Sequence, residues 1–523
     1  MLEMVLAGVM VTMLDVLRLI SIRKMNSLKK IFGALAAVAL LLAPSCNPDK
    51  GVDGGDVTIA LELSSDAITI PAEGAVMEVE VTTDAENWEV VNALSWASAE
   101  RSGSTVVIYA DTNISGKVRK GSVLVVATSG SERVEKTISV EQLAEGGTSG
   151  GNGEFECPVF ESLMLELCDA NGDGKISEAE AALVTEINVA YTESDAENRE
   201  HITSLKGIKM FKNLKYLECE NNLIKTLDLS GMEHLEYVDC FYNEMTSLNV
   251  SNCPSLKWLY CYSNNLTTVN VSGSNNIEYF QAYQNKLTSV DMSNKPELIY
   301  FDVRLNLLRE VKFENCPKLL IAAVGTNNLI SLSLKGLPEL TTLGCYENNI
   351  ASLDLSELPN LGMLECYTNN LTTLDLSANS KITAVRCQNN LISEFAFENC
   401  VNLRTLDCSN NRLAGSLDLN KYKSLVNVAC GGNNFTAISV DACTGIVNLS
   451  CENTSISTLN VAPLSLLESL VANDCLLTTM DCSNNLKLQK LYLQGNPLTS
   501  LILATGQVIG DLKLDDHGVI SYK

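Results

Sequence analysis

A repeat of 21 residues begins at Leu214 and continues towards the C-terminal end of the 523-residue chain. One extra residue near Ala414 and Gly415 makes a single longer step. A unit this short cannot bury its apolar face alone, so the copies are predicted to stack into a solenoid with one continuous core. The first apolar position of the unit falls at Leu214, Leu235, Leu256, Ile277, Leu298, Leu319, Leu340, Leu361, Ile382, Leu403, Leu425, Ile446, Leu467 and Leu488, with a partial copy at Ile509.

The consensus of the unit is Leu-x-x-Leu-x-Cys-x-x-Asn-x-Leu-x-x-Leu-Asp-Leu-Ser, as in Leu361 to Ser377. This spacing resembles leucine-rich repeats, most of all the bacterial 21-residue class and more distantly the internalins. The segment from Ile202 to Leu214 resembles the transition from cap to repeats in such proteins. The resemblance implies a leucine-rich-repeat solenoid over residues 202–523 and a protein as its binding partner.

Most of the 18 cysteines follow the repeat. Nine share the third core position, where other copies place Ala282, Val303 or Val324, and four share a second position before the next copy. Because cysteine alternates with aliphatic residues, we predict small buried thiols that form no disulfide and bind no metal. The nine are Cys219, Cys240, Cys261, Cys345, Cys366, Cys387, Cys408, Cys430 and Cys451, and the four are Cys253, Cys316, Cys400 and Cys443.

Asparagine occupies the ninth position of the unit in 12 of 14 copies, from Asn222 to Asn496. A side-chain amide at this point can satisfy backbone groups of a neighbouring turn. We therefore predict a structural asparagine ladder, interrupted at Thr454 and Cys475.

Aromatic residues are concentrated at outward positions of the first five copies. Residues that alternate with the core leucines face outward, and a wide exposed aromatic surface is typical of binding sites. The pattern also allows the alternative that the rings only stack on one another and stabilise the coils. The predicted ligand-binding residues are Tyr216, Tyr237, Phe241, Tyr242, Trp258, Tyr260, Tyr262, Tyr279, Tyr283 and Tyr300, with the acidic residues Glu218, Glu220, Asp239 and Asp302 among them.

Residues 169–180 match the twelve-residue EF-hand calcium loop at each position. Gly174 supplies the sharp turn, and helical patterns at residues 159–168 and 178–187 flank the loop. Calcium is therefore the predicted cofactor, bound permanently as part of the structure, with a metal-free turn as the alternative. The predicted ligands are Asp169, Asn171, Asp173, the backbone carbonyl of Lys175, Ser177 and Glu180.

Residues 57–144 show the alternation of about seven short strands, which predicts a β-sandwich. Asn87-Trp88, Leu94-Ser-Trp96 and the closing Val140-Glu-Gln142 resemble a BACON domain. The resemblance implies an exported, carbohydrate-related protein in which this domain binds sugar or acts as a spacer. Trp88 and Trp96 either stack on a sugar or fill the core. A Gly/Ser linker at residues 145–156 follows.

The N-terminal segment is predicted to be a targeting signal and not part of a folded domain. Residues 1–24 are a mis-called start or an N-terminal extension, and residues 25–45 have the basic, apolar and small-residue regions of a secretory signal. Leu42-Ala-Pro-Ser-Cys46 resembles a bacterial lipobox, which implies that Cys46 carries the lipid. Residues 46–56 form a polar tether that resembles the surface-export signal of some Gram-negative lipoproteins.

A net charge of −26 argues against nucleic acid or an anionic membrane surface as partner. Only three histidines occur, and no catalytic constellation accompanies them.

The sequence therefore predicts a mainly β protein with a β-sandwich, a short helical calcium-binding cap at residues 157–201 and a leucine-rich-repeat solenoid. We expect a monomeric, non-enzymatic lipoprotein of the outer membrane, exposed at the cell surface and held in the membrane by its lipid alone. Its ligand is expected to be an extracellular protein. The alternatives are a polysaccharide- or glycan-binding surface protein and an architectural surface protein.

Overall fold

Residues 59–71, 74–113, 119–142, 155–195 and 199–523 are described by a computed structural model. They fall into two units, one that ends at Gln142 and one that begins at Phe155. The predicted signal, the lipidation residue Cys46 and most of the linker lie outside the described residues. Within the described ranges, no helix is both long and apolar enough to span a bilayer.

The first unit contains two four-stranded sheets, with strand orders β1-β3-β6-β5 and β2-β8-β7-β4. All pairs are antiparallel except β2 with β8, which is parallel. Both sheets contribute to one apolar cluster, which includes Ile70, Val79, Ile108 and Val125. The strands are β1 (Leu61–Leu63), β2 (Ala67–Ile70), β3 (Gly74–Thr83), β4 (Asn87–Asn92), β5 (Ala97–Ser102), β6 (Thr105–Asp111), β7 (Arg119–Ser129) and β8 (Glu132–Gln142).

The second unit opens with two helices, α1 (Pro158–Cys168) and α2 (Glu178–Leu183). Pro158 stands in the first turn of α1, where its missing N–H costs nothing, and Ser177 with Glu180 forms a capping box at the start of α2. The predicted second helix is too long, because Glu186–Asn188 is strand β9 and pairs in parallel with β10 (Tyr216–Glu218). Alternating Ile187 and Val189 are buried there, so tertiary pairing prevails over the helical pattern.

The repeats form a parallel sheet of 16 strands that already begins at β9, inside the range predicted for the cap. Paired residues are 21 apart in neighbouring coils, as in Tyr216 with Tyr237, and the step becomes 22 between Thr405 and Asn427. The predicted repeat and its insertion are therefore confirmed. The remaining strands are β12 (Tyr237–Asp239), β14 (Trp258–Tyr260), β16 (Tyr279–Gln281), β18 (Tyr300–Asp302), β20 (Ile321–Ala323), β21 (Thr342–Gly344), β22 (Met363–Glu365), β24 (Ala384–Arg386), β26 (Thr405–Asp407), β28 (Asn427–Ala429), β30 (Asn448–Ser450), β31 (Ser469–Val471), β33 (Lys490–Tyr492) and β35 (Asp511–Lys513).

Shorter parallel sheets line the opposite side of the coils. One core extends from Cys157 to Leu514 between the two sides, so the helices and the repeats share it. The strands of the second side are β11 (Thr226–Asp228), β13 (Ser247–Asn249), β15 (Thr268–Asn270), β17 (Ser289–Asp291), β19 (Glu310–Lys312), β23 (Thr373–Asp375), β25 (Glu394–Ala396), β27 (Ala414–Asp418), β29 (Asn434–Ser439), β32 (Thr479–Asp481), β34 (Ser500–Leu503) and β36 (Ile520–Tyr522).

The asparagine ladder links each coil to the one before it. In a central coil, Asn327 Nδ2 donates to the carbonyl oxygens of Val303, Val324 and Gly325 at 3.0, 3.1 and 3.1 Å. Its Oδ1 accepts from Leu308 N at 3.0 Å. The predicted role of these amides is confirmed, because each satisfies buried backbone groups that the strands leave unpaired.

Cysteines form two columns along the solenoid. The nine at the third core position are buried, and burial raises the pKa of Cys345 and Cys408 to about 12, so they are protonated thiols. In the second column, Cys253 Sγ donates to Leu229 O at 3.1 Å and Cys443 Sγ to Leu419 O at 3.0 Å. These thiols replace the hydroxyl of Ser274, which makes the same bond to Val250 O at 2.6 Å. Every cysteine in the described ranges is a free thiol.

Candidate binding surface and candidate calcium loop

The aromatic residues of the first coils lie side by side on the 16-stranded sheet. In-register parallel pairing brings Tyr216, Tyr237, Trp258, Tyr279 and Tyr300 next to one another, because neighbouring strands are about 4.8 Å apart. We call the ten predicted ligand-binding residues the aromatic surface. Their common placement follows from the repeat itself.

Ring stacking is closest two residues beyond the strands. Phe241 and Tyr262 have ring centroids 4.5 Å apart at an interplanar angle of 9°, and Tyr262 and Tyr283 are 4.4 Å apart at 7°. The guanidinium of Arg304 lies 5.9 Å from the Tyr283 ring centroid and continues the row. The faces of these rings are therefore covered mainly by one another, and their edges are turned outward.

Exposure differs across the aromatic surface. Tyr242 is 55% exposed, whereas Tyr237 and Tyr300 are only 7% and 6% exposed, and the other seven residues are half-buried. Tyr237 Oη donates to Asp239 Oδ2 at 3.1 Å, and Tyr300 Oη donates to Asp302 Oδ2 at 3.4 Å. The rings thus pack as a ladder and leave edges at the surface, an arrangement that is compatible with both interpretations that the sequence leaves open.

Asp302 is a buried carboxylate that pairs with the guanidinium of Arg304 in the same coil. It is 1% exposed, and Arg304 donates to both of its oxygens, from Nε to Oδ1 at 2.9 Å and from Nη2 to Oδ2 at 2.6 Å. Bidentate hydrogen bonds between a guanidinium and a carboxylate are stronger than hydrogen bonds between neutral groups.

Asp239 occupies the same position three coils earlier but is not paired in this way. It is 4% exposed, and its Oδ1 has no hydrogen-bond partner within the described part of the chain. Burial, the Glu220 carboxylate and the Glu218 carboxylate raise the pKa of Asp239 well above its usual value. Three acidic side chains, those of Glu218, Glu220 and Asp239, therefore lie together at the end of the aromatic surface near β10.

Replacing Asp239 by asparagine is expected to stabilise the protein. The pKa of Asp239 is higher in the folded protein than the value of about 3.9 in the unfolded protein. Protonated Asp239 therefore stabilises the fold at low pH, and this stabilisation is lost as the pH rises through the folded-state pKa and the carboxyl group ionises. The free energy of unfolding of the variant should exceed that of wild type at pH 8 and be similar to it at pH 4. Urea unfolding at both pH values measures this, and a lower stability of Asp239→Asn at pH 8 would contradict it.

The candidate calcium loop joins α1 to α2. Gly172 and Gly174 have φ of 72° and 74°, which only glycine adopts readily, and they fold the loop back on Asp169. Asp169 accepts backbone N–H bonds from Gly172 at 2.9 Å and Gly174 at 2.9 Å. Glu180 accepts from Ser177 N at 2.8 Å and from Ala170 N at 3.0 Å.

The loop fits calcium in its donor types and its backbone. Asp169, Asn171, Asp173, Ser177 and Glu180 offer side-chain oxygens, which suit a hard cation. These oxygens accept bonds from the loop itself, as when Asp173 Oδ1 accepts from Lys175 N at 2.8 Å. Within the described ranges, no three acidic, histidine or cysteine side chains already converge on one metal position. The backbone carbonyl of Lys175 is the remaining predicted ligand.

The two tryptophans of the first unit differ in exposure. Trp88 belongs to the core, and the Arg101 guanidinium lies 4.1 Å from its ring centroid. Trp96 is half-buried and lines a shallow cleft of about 580 Å³ together with Tyr109, Ser98 and Asp111. Only Trp96 is therefore placed to meet a ligand.

No protein-family model matches the chain, and no curated protein matches it. Several solved structures are similar to the chain. The functional domain of InlJ from Listeria monocytogenes, which includes a cysteine ladder, is 28% identical with a TM-score of 0.54, over 63% of this chain and 71% of that one. YopM, a leucine-rich effector protein from Yersinia pestis, is 22% identical with a TM-score of 0.50, over 58% and 83%. PEPR1-AtPEP1 is 20% identical with a TM-score of 0.52, over 65% and 52%. The repeat region is therefore an internalin-like leucine-rich-repeat solenoid.

Proposed function

We propose that this chain is a non-enzymatic surface lipoprotein whose solenoid binds an extracellular protein through the aromatic surface. The observation that carries this proposal is the in-register row of half-buried rings on the first five coils. Rings held by their neighbours lose little conformational entropy on binding, which favours contact with a partner. The similarity to the InlJ functional domain and to PEPR1-AtPEP1 supports a binding role for the repeats.

Ring orientation favours a protein over a glycan at this surface. A sugar stacks on an open ring face, but the faces of Tyr262 are covered by Phe241 on one side and Tyr283 on the other. The ring edges and hydroxyl groups that remain suit polar and aromatic groups of a protein interface.

The test is a binding screen of the purified full chain against arrays of extracellular proteins and of glycans. Tyr242→Ala and Tyr279→Ala alter the aromatic surface, and Ile330→Ala, 70% exposed outside it, is the matched control. A protein hit that weakens at least tenfold in the first two variants and not in the control supports the proposal. Hits that are indifferent to all three variants would refute it.

The first unit offers a second candidate, glycan binding in the cleft that contains Trp96 and Tyr109. A half-buried indole beside Ser98 and Asp111 combines a stacking surface with hydrogen-bonding groups, as sugar sites do. A glycan hit that is lost in Trp96→Ala would support this function and the BACON-like assignment. A glycan hit that survives this change would place the sugar elsewhere.

We infer a lipid anchor at Cys46 and exposure at the cell surface from the lipobox-like sequence and the polar tether that follows it. Cells fed with labelled palmitate should incorporate it into the wild-type chain. Incorporation that persists in Cys46→Ala would refute the assignment of that residue.

We also propose that residues 169–180 bind one calcium ion that fixes the helices against the first coil. Calcium should raise the thermal midpoint of the purified chain and bind with a stoichiometry of one, since the ion would hold α1 and α2 together. Asp169→Ala should abolish both effects. Glu178→Gln, a neighbouring exposed carboxylate outside the predicted ligand set, should leave both unchanged. Isothermal titration measures the stoichiometry, and absence of binding heat together with an unchanged thermal midpoint in the wild-type chain would contradict the proposal.

A further inference from the structure

Two coils of the solenoid share a Tyr-x-Asp arrangement and differ at the side chain two residues after the aspartate. Tyr237, Asp239 and Phe241 are equivalent to Tyr300, Asp302 and Arg304, exactly three repeats later in the sequence. In both coils the tyrosine hydroxyl donates to the aspartate Oδ2. In the later coil Arg304 neutralises the aspartate, whereas the earlier coil places an apolar ring at that point.

The surroundings of Asp239 are negative. Glu218 lies directly opposite Asp239 in the pairing of β10 with β12, and the Glu220 carboxylate also interacts with it. No salt bridge reaches Asp239 from any of the residues that the structure describes. A buried carboxylate with one unsatisfied oxygen is costly, and such a group in a native protein calls for an explanation.

Aromatic rings border the same place. Tyr260 lies edge-on to Tyr237 with centroids 5.7 Å apart, and the Phe241–Tyr262 stack adjoins them. Carboxylates beside aromatic rings suit a guanidinium, which forms bidentate hydrogen bonds in its plane and stacks through its faces. Arg304 illustrates this chemistry within the chain, since it binds Asp302 and lies beside the Tyr283 ring.

We propose that the protein partner inserts an arginine side chain at Asp239 and so supplies the cation that Arg304 supplies to Asp302. This inference rests on the proposed function, because it names the group that the partner presents to the aromatic surface. Glu218 is half-exposed and pairs opposite Asp239, so the guanidinium would approach Asp239 beside Glu218. The Phe241 ring occupies the place equivalent to Arg304 and stacks on Tyr262, so insertion of a guanidinium at Asp239 requires this one ring to move.

The test uses N-acetyl-arginine amide as probe on the full chain, followed by tyrosine fluorescence or by chemical shifts of the solenoid. N-acetyl-citrulline amide has a similar shape without the charge and is the control probe. The arginine probe should bind at least tenfold more tightly than the citrulline probe. Asp239→Asn should weaken the arginine probe at least tenfold, and Glu310→Gln, on the opposite side of the coils in β19, should not.

A second variant tests whether Asp239 can pair with an arginine of the same chain. Phe241→Arg recreates the later coil, so it should raise the thermal midpoint and block the arginine probe. Equal binding of the probe to wild type, Asp239→Asn and Phe241→Arg would overturn the proposal, as would a Phe241→Arg chain that is folded but less stable. A protein hit in the array that depends on Tyr279 but not on Asp239 would overturn it as well and leave the proposed function standing.

Discussion

Replacing Arg304 by methionine should lower the free energy of unfolding by about 3 kcal/mol, the lower end of the cost of breaking one half of a buried ion pair. Asp302 is almost fully buried, and the Arg304 guanidinium donates to both of its oxygens and supplies its balancing charge, whereas the Tyr300 hydroxyl and the backbone N–H of residue 304 add only neutral donors. Methionine retains much of the apolar stem but removes the donors and the charge. The measurement is urea unfolding followed by circular dichroism at pH 7.

A double variant distinguishes the effect of leaving the Asp302 charge unpaired from the effect of losing the packing of the Arg304 side chain. The double variant Arg304→Met with Asp302→Asn leaves no buried charge and should recover most of the lost stability. Lys318→Met breaks an exposed pair with Glu297 and should leave the unfolding midpoint unchanged. If the double variant is as unstable as Arg304→Met alone, the buried charge is not the cause.

Replacing Asn327 by alanine should cost roughly 3 kcal/mol or more, since each buried backbone group left unsatisfied costs about 1–3 kcal/mol. The amide makes four hydrogen bonds, three to carbonyl oxygens and one from Leu308 N. Because a solenoid is stabilised coil by coil, the break should also divide the unfolding transition into two steps. Urea unfolding and hydrogen exchange of the coils on either side measure both effects.

Two matched variants define the role of the ladder amide. Asn328→Ala removes the neighbouring exposed asparagine and should leave stability unchanged. Asn327→Asp retains an acceptor for Leu308 N but loses the donors to three carbonyl oxygens, so it should be at least as destabilising as alanine. A stability of Asn327→Ala equal to that of Asn328→Ala would show that the amide bonds contribute little.

The repeat spacing alone predicted the strand register and the buried column of cysteines. A period of 21 places Tyr216 opposite Tyr237, and cysteine at a position that also takes alanine or valine must be buried. The insertion at Ala414 was visible as a 22-residue step. These features depend on local pattern, which one sequence displays many times over.

Tertiary packing decides what the sequence pattern left open. Alternation showed that Tyr237 and Tyr242 face outward, but not that neighbouring rings cover the first and leave the second exposed. The carboxylates Asp239 and Asp302 look equivalent in the sequence, and only the hydrogen bonds of Arg304 distinguish them. The sequence indicates this ion pair only through the spacing Asp302-x-Arg304, which places both side chains at outward positions of one coil. The predicted extension of the helix to residue 187 was wrong, because the helix ends at Leu183 and Glu186–Asn188 pairs with the edge of the sheet as strand β9.

The coils of the solenoid are held together without disulfides in the part of the chain that the structure describes. The cysteines of the described ranges are free, and burial raises the pKa of core-column thiols such as Cys345 and Cys408 to about 12, so these are protonated. A thiol without thiolate character reacts slowly with oxidants and with other disulfides. The coils that the structure describes can therefore form without a disulfide-forming partner.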